Sequence, residues 1–508
     1  MIIVDGKNLT IEDVVRVARG FEKVKLSKEA IENVKKSREV VEKIISKKDR
    51  AVYGVNTGFG ELANVRISDE KLDELQKNLI RSHSCGIGKA LERDVVRAMM
   101  LLRCNSLAKG YSGVRVDVLN MLIDMLNNRI HPVVPEKGSL GASGDLIPLA
   151  HIALAMTGEG KAEYRDKIYE AKEVFKKLGI KPIKLKAKEG IALINGTQFM
   201  SALGSLLVHD SKNLLKNAQI AGAMSLEALL GTDQAFREEI QEVRPHKGQI
   251  ECARNLRRLT ENSEIIASHK DCDKVQDAYT LRCMPQVFGA IKDAIEYAEN
   301  VLNIEINSAT DNPLVFSKTG ECISGGNFHG QPLALALDLL GIALTQLGAF
   351  SERRISRLLD EKLSGLPAFL TKESGLNSGL MLVQYAAASL VNENRILSYP
   401  ASADSIPVSA NQEDFVSMGA NSALKARQIL DNVQHIIAIE FLVTSQGLKF
   451  LRPLKPSPAN LEAYNEIRKV SKELRKDRSL YADIKKIKKL IEDGKIVKEV
   501  EKVNGKLK

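Results

Sequence analysis

Tryptophan is absent from this 508-residue chain, and aromatic residues of all kinds make up only 5% of it. Its basic stretches therefore lack the interleaved rings on which single-stranded nucleic acids stack. Cysteine is sparse: Cys85, Cys104, Cys252, Cys272, Cys283 and Cys322 are scattered along the chain. That is no disulfide framework, and no Cys-x-x-Cys or His-x-x-x-His pair offers a metal site. His83-Ser84-Cys85 is too closely spaced and too isolated to form a ligand set, so reduced, metal-free cysteines are expected. No run of about 18 apolar residues is present, which argues against a membrane span. Met1 to Lys7 carry no basic segment leading into an apolar one, so no secretory signal is expected and the cytoplasm is the default compartment. Nucleotide loops are missing too. Gly54 to Gly60 is spaced Gly-x-x-x-Gly-x-Gly, and Gly158-Glu159-Gly160-Lys161 lacks the spacing and Ser/Thr of a phosphate loop.

What the chain does have is length, apolar content and helical periodicity. With 508 residues, 44% of them apolar, it can form two or three average domains or one long helical architecture. The net charge of +10 is concentrated at the end: residues 468–508 hold 15 Lys/Arg and 7 Asp/Glu, a balance of +8. Ile484, Ile487, Leu490 and Ile491 fall at helical spacing there, which reads as an amphipathic helix with a solvated basic face rather than a nucleic-acid site.

Helical patterns run over about 31–45, 91–109, 113–127 and 145–156. A polar, turn-rich stretch, 158–190, follows. Three unusually long candidates cover 197–230, 332–360 and 421–450. Thirty helical residues reach about 45 Å, and rows such as Leu333 to Leu344 are apolar nearly all round, which implies burial on every side. The expected fold is mainly α: a long-helix bundle in a symmetric oligomer, with a smaller mixed N-terminal region, 1–110, that contributes site loops. Residues 111–508 form the helical-bundle region and end in the basic tail. No internal repeat, low-complexity segment or coiled-coil heptad stands out.

The most informative stretch is Gly138-Ser139-Leu140-Gly141-Ala142-Ser143-Gly144-Asp145-Leu146-Ile147-Pro148-Leu149-Ala150. Read plainly, Ala142-Ser143-Gly144 is a turn in which Ser143 caps a helix starting at Asp145. Read chemically, Gly144 has no Cβ, so its amide nitrogen can be brought onto the carbonyl carbon of Ala142. Ring closure there, with loss of water from the ring and from Ser143, leaves an exocyclic methylene and makes an electrophile from the chain itself.

This string closely resembles the signature of the aromatic amino-acid ammonia-lyases, which form the 4-methylideneimidazol-5-one (MIO) group from that tripeptide. The resemblance recurs from about Tyr53 to Met418 and is greatest to the histidine-specific branch. It implies the long-helix bundle of the fumarase/aspartase-like superfamily. It also implies MIO from Ala142, Ser143 and Gly144 with no nucleotide or metal, and a homotetramer whose active sites draw on more than one subunit.

Further residues gain roles from the same resemblance, and each has a plainer reading. Tyr53, in Tyr53-Gly54-Val55-Asn56-Thr57-Gly58-Phe59-Gly60, can pack at a helix end or face the substrate amine. His83 can be an ordinary histidine or a partner for a polar substrate ring. Asn195, in Asn195-Gly196, can be a turn residue or can bind near the cofactor ring and the substrate carboxylate; Gln198 is a weaker candidate. Tyr279 and Arg282, three apart, would share one helical face. A guanidinium there can hold an α-carboxylate bidentately, and a tyrosinate can take the β-proton if its pKa is lowered. The resemblance makes Tyr279 the base, Arg282 the carboxylate anchor and Gln276 a supporting partner. Phe328 matches an aromatic lining the cofactor site, and Asn307 to Pro313 reads as a supporting polar loop. Gln412, Glu413 and Asp414 can be a helix start; in the histidine-specific branch a glutamate at the position of Glu413 contacts the imidazole. Phe415 is a departure, standing where many histidine lyases carry a second histidine.

The expected reaction is thus non-oxidative deamination of L-histidine to trans-urocanate and ammonia. Lyases or aminomutases acting on tyrosine or phenylalanine are the nearest alternatives, followed by an MIO-free fumarase- or argininosuccinate-type lyase. A non-catalytic helical scaffold or basic nucleic-acid binder comes third.

Overall fold

The computed structural model describes residues 1–47 and 51–508, excepting the side chains of Glu61, Ala63 and Asp69. Helices dominate, and no strand among the described residues is longer than four residues. The chain forms two compact units, each assembled from three separate segments. The first comprises Met1–His209, Ala298–Asp338 and Pro400–Leu424; the second comprises Asp210–Tyr297, Leu339–Tyr399 and Lys425–Lys508. No single cut near residue 110 separates them, because long helices carry the chain from one unit into the other.

In the first unit, strands Ile2–Val4 and Val24–Leu26 pair in parallel. Between them helix Ile11–Ala18 starts at a reciprocal capping box of Thr10 and Asp13. Helix Arg93–Ala108 is buried over all but its first two residues. It and helices Val116–Asn127 and Leu146–Met156 lie within three residues of the expected spans. The stretch 158–190 holds more structure than its polarity suggests. Strands Lys161–Tyr164 and Lys167–Glu170 form a hairpin around Arg165 and Asp166, whose φ angles are +51° and +60°. Two left-handed residues are what a two-residue hairpin loop needs, and Arg-Asp conceals a turn that Asn-Gly would announce. Helix Ala171–Leu178 follows and closes on Gly179 at φ +67°.

The long helices emerge as Gln198–Ala228, Gln331–Leu359 and Gly419–Phe450, close to expectation, with Met284–Glu305 and Met381–Leu397 added. Their packing in the second unit is close: a Cβ on Gly222 would lie 2.7 Å from the Met284 sulfur, and one on Gly348 would lie 3.1 Å from both Val433 and Ile436. At the centre Arg354 Nε and Nη2 donate to the two carboxylate oxygens of Glu440 at 2.5 and 2.8 Å, with both side chains fully buried. The hydroxyl of Ser225 also donates to Glu440 (2.8 Å), as does that of Ser351.

One expectation needs correction and another holds. Helix Gln331–Leu359 is not buried on every side. By length and composition it could cross a bilayer, and its apolar window is 67% buried, as in a core helix. Yet Leu335, Leu339 and Ile342 are 51%, 39% and 38% exposed, an open apolar stripe at i, i+4 and i+7. The basic tail is amphipathic as expected, with Lys485, Lys486 and Lys489 exposed. Helix Tyr481–Glu492 buries Ile487, Leu490 and Ile491, and Lys488 is held between Asp431 (2.8 Å) and Glu492 (2.7 Å).

Replacing one member of a buried ion pair leaves the other charge without compensation, so Arg354→Met should lower stability by about 3–5 kcal/mol. Equilibrium urea unfolding should show most of that loss recovered in the double variant Arg354→Met/Glu440→Leu.

Candidate active site

The stretch from Gly138 to Asp145 is irregular, bending at Gly141 to Ser143 and at Asp145, ahead of helix Leu146–Met156. Ser143 does not cap that helix. Asp145 precedes it and makes no side-chain cap to it either. The Asp145 carboxylate serves a different helix. Its Oδ2 accepts from the backbone N–H groups of Phe199 (2.9 Å) and Met200 (3.0 Å), in the first turn of Gln198–Ala228, and its Oδ1 accepts from Ser139 Oγ (2.8 Å). A carboxylate there satisfies amides that lack a partner within the helix and faces its positive end. Burial nevertheless outweighs those bonds and pushes Asp145 up to about 7.

Gly144 has φ +73° and bridges Gly196. A Cβ on Gly144 would lie 2.2 Å from the Gly196 carbonyl oxygen, so only glycine fits. The same oxygen accepts from Asp145 N at 2.6 Å. Asn195 is 3% exposed; its Nδ2 donates to the Ser143 carbonyl at 2.8 Å, and its Oδ1 has no hydrogen-bond partner. The Asn195-Gly196 pair is therefore a clamp on the tripeptide rather than an ordinary turn. Gln198 does not line the cavity; its Nε2 donates to Thr310 Oγ1 at 2.9 Å.

A cavity of about 620 Å³ opens over Ala142 and Ser143, within the first unit. Tyr53, His83, Asn195, Phe328 and Glu413 all line it, as do Phe59, His329, Gln412, Asp414 and Phe415. His83 ends helix Leu72–His83, and its Nδ1 lies 2.9 Å from the Leu79 carbonyl. Donation there fixes the tautomer and leaves Nε2 as an acceptor. Burial holds His83 below the usual histidine range, so the ring is neutral at pH 7. Burial likewise raises Tyr53, which stays a phenol; its oxygen accepts weakly from Gly60 N (3.4 Å).

Glu413 sits on a tight loop, not at a helix start; the next helix begins at Gly419. Val408 and Glu413 exchange backbone hydrogen bonds of 3.0 and 3.2 Å. Between them Ser409, Ala410 and Asn411 take φ values of +54°, +51° and +66°. Non-glycine residues held there cost on the order of 1–3 kcal/mol each, and such strain gathers at functional sites. Burial raises the Glu413 carboxyl, against an opposing pull from hydrogen bonds with Ser143. Phe415, 61% exposed, stacks on His329 with ring centres 6.0 Å apart, and its carbonyl lies 3.1 Å from His329 Nε2.

Gln276, Tyr279 and Arg282 are not brought to this cavity. They belong to the second unit, where Gln276 is exposed and Tyr279 is 70% exposed. The expected shared face is real: the two residues bound the turn Tyr279–Arg282, and the Arg282 guanidinium carbon lies 4.6 Å from the Tyr279 ring centre. Sequence reasoning missed the anchoring role of Asp145 and the cavity positions of Phe59 and His329. Asp145 and Phe59 stand inside the motifs already quoted, and His329 adjoins Phe328.

Comparison with known proteins agrees with this arrangement. The aromatic amino acid lyase profile matches residues 9–469. A histidine ammonia-lyase from Alkaliphilus oremlandii is 52% identical over 99% of this chain and 98% of its own length. The crystal structure of histidine ammonia-lyase from Trypanosoma cruzi matches with a TM-score of 0.92 and 43% identity, covering 98% of this chain and 95% of that one. Tyrosine aminomutase from Streptomyces globisporus matches with a TM-score of 0.94 at 40% identity over the whole of both chains. The fold is thus the fumarase-like one of the MIO-dependent ammonia-lyases. The chain belongs to the aromatic amino acid lyase family, a family known for the MIO group.

Unfolded, Asp145 loses its proton near pH 4; folded, it keeps it to about 7. Between those values the folded state binds the extra proton, so this group makes stability fall as pH rises, with no further loss above pH 7. Urea midpoints measured from pH 4.5 to 8 should show that decline, flattened in Asp145→Asn.

Proposed function

We propose that this chain removes ammonia from L-histidine to give trans-urocanate, using MIO formed from Ala142, Ser143 and Gly144. The single observation that carries the reading is the clamp on the tripeptide. Gly144 is pressed against Gly196 where no Cβ fits, and Asn195 is bound to the Ser143 carbonyl beside the cavity. The residues therefore fit the group, which would supply an electrophile that activates the amine side of the substrate. Identity near 50% to histidine ammonia-lyases over the full length supports histidine as substrate.

The remaining chemistry falls to side chains. A neutral His83 can accept from the imidazole N–H, and Glu413 can hold the other edge of the ring through a charge-assisted bond. Asn195 has an unpartnered oxygen for a substrate or cofactor donor. Tyr53, as a phenol, can hydrogen-bond the amine, and Phe328 closes the apolar wall.

Tyr279 as base, Arg282 as carboxylate anchor and Gln276 as support then reach the cavity from a neighbouring copy in a homotetramer. Their exposure in the second unit supports this, as does the open stripe of Leu335, Leu339 and Ile342 on a long helix.

Intact mass of the purified protein should fall short of the sequence mass by two waters, about 36 Da. Ser143→Ala should show no such deficit and lose nearly all activity. Full activity in Ser143→Ala would favour the MIO-free alternative. Glu413→Gln should lower kcat/KM for histidine by about 10- to 100-fold, since a hydrogen bond to a charged group contributes about 1.5–3 kcal/mol. Assaying tyrosine, phenylalanine and their β-amino isomers would expose an aminomutase.

A further inference from the structure

Arg103 lies on helix Arg93–Ala108 and is 1% exposed. Its hydrogen-bond partners are neutral: Nη1 donates to the Asn195 carbonyl (2.9 Å) and to Gln198 Oε1 (2.6 Å), and Nη2 donates to the Ala192 carbonyl. A buried cation whose hydrogen bonds all go to carbonyls, and whose charge is met without contact by Asp311, itself paired with Lys188, is a poor source of stability; an apolar side chain of similar volume would suit the interior better. What the guanidinium fixes is position. Ala192 and Asn195 lie at the end of the short helix Glu189–Ile194, whose carbonyls have no helical partner. One planar group gathers them. A Cβ on Gly196 would lie 2.4 Å from Arg103 Nη1, so the guanidinium also packs directly on Gly196.

Gly196 in turn is the surface against which Gly144 is bent. We infer that Arg103 is a positioning residue for ring closure. Through Asn195-Gly196 it holds the backbone that keeps Gly144 left-handed and sets the Asn195 amide on the Ser143 carbonyl. The inference rests on the MIO reading. In closure, Gly144 N bonds to the Ala142 carbonyl carbon. That oxygen leaves as water with the amide hydrogens of Gly144 and Ser143. Ser143 then loses its hydroxyl with its Cα hydrogen as a second water; nothing is oxidised or reduced. Arg103 touches none of these atoms and acts through the clamp alone.

The test compares Arg103→Met and Arg103→Lys with the unaltered chain. Each is isolated as its folded assembly, checked by circular dichroism, and followed by intact mass during maturation. Displacing reacting atoms by about an ångström can slow a reaction about 100-fold. Folded Arg103→Met should therefore form the dehydrated species 10- to 100-fold more slowly, with Arg103→Lys between it and the unaltered chain. Activity per dehydrated chain should fall through kcat with KM little changed. If folded Arg103→Lys and Arg103→Met dehydrate at the unaltered rate, Arg103 is merely structural and the inference fails; should Arg103→Met not fold, Arg103→Lys decides alone. If the unaltered chain itself shows no two-water deficit, the MIO reading fails first and takes this inference with it.

Discussion

At Gly144 the backbone is pressed so closely on Gly196 that no side chain fits there, and Gly196 is closed in turn by Arg103, Gln198 and Thr310. Most of the site can be traced outward from that contact. The Gly196 carbonyl takes the amide of Asp145, whose carboxylate runs on to the first turn of Gln198–Ala228. On the other flank Asn195 reaches the Ser143 carbonyl. A short helix, a long helix and the tripeptide are thus tied through two glycines and their immediate neighbours. Tightly packed interiors transmit displacement rather than absorb it, so small errors in the supporting shell arrive undiminished at the reacting atoms.

The cavity above this contact shares an electrostatic character. Burial drives Tyr53 upward and His83 downward, so both stay uncharged, while hydrogen bonds with Ser143 oppose the rise that burial imposes on Glu413. Such a cavity does not compete with itself for charge before a zwitterionic amino acid enters. Once substrate arrives and water leaves, every remaining hydrogen bond acts in a medium of low dielectric and counts for more.

The parts of this molecule legible in sequence are those specified locally. The tripeptide and its flanks form one continuous string. Tyr279 and Arg282 share a face because they are three apart, and the long helices declare themselves through unbroken apolar rows. What sequence hid is set by distant partners or by backbone alone. Asp145 caps a helix that starts 53 residues later in the chain. Arg165, Ser409 and Ala410 adopt left-handed conformations that their side chains do not advertise. The open stripe on Gln331–Leu359 is invisible to periodicity, which registers apolar residues but not what covers them.

The discontinuous first unit also governs when the cavity can be completed. The cavity over Ser143 needs Glu413 and its strained loop, from the segment Pro400–Leu424. Chains grow from the N-terminus, and compact units fold once their segments are available. The last wall of this cavity therefore exists only once Glu413, 270 residues beyond Ser143, has been made.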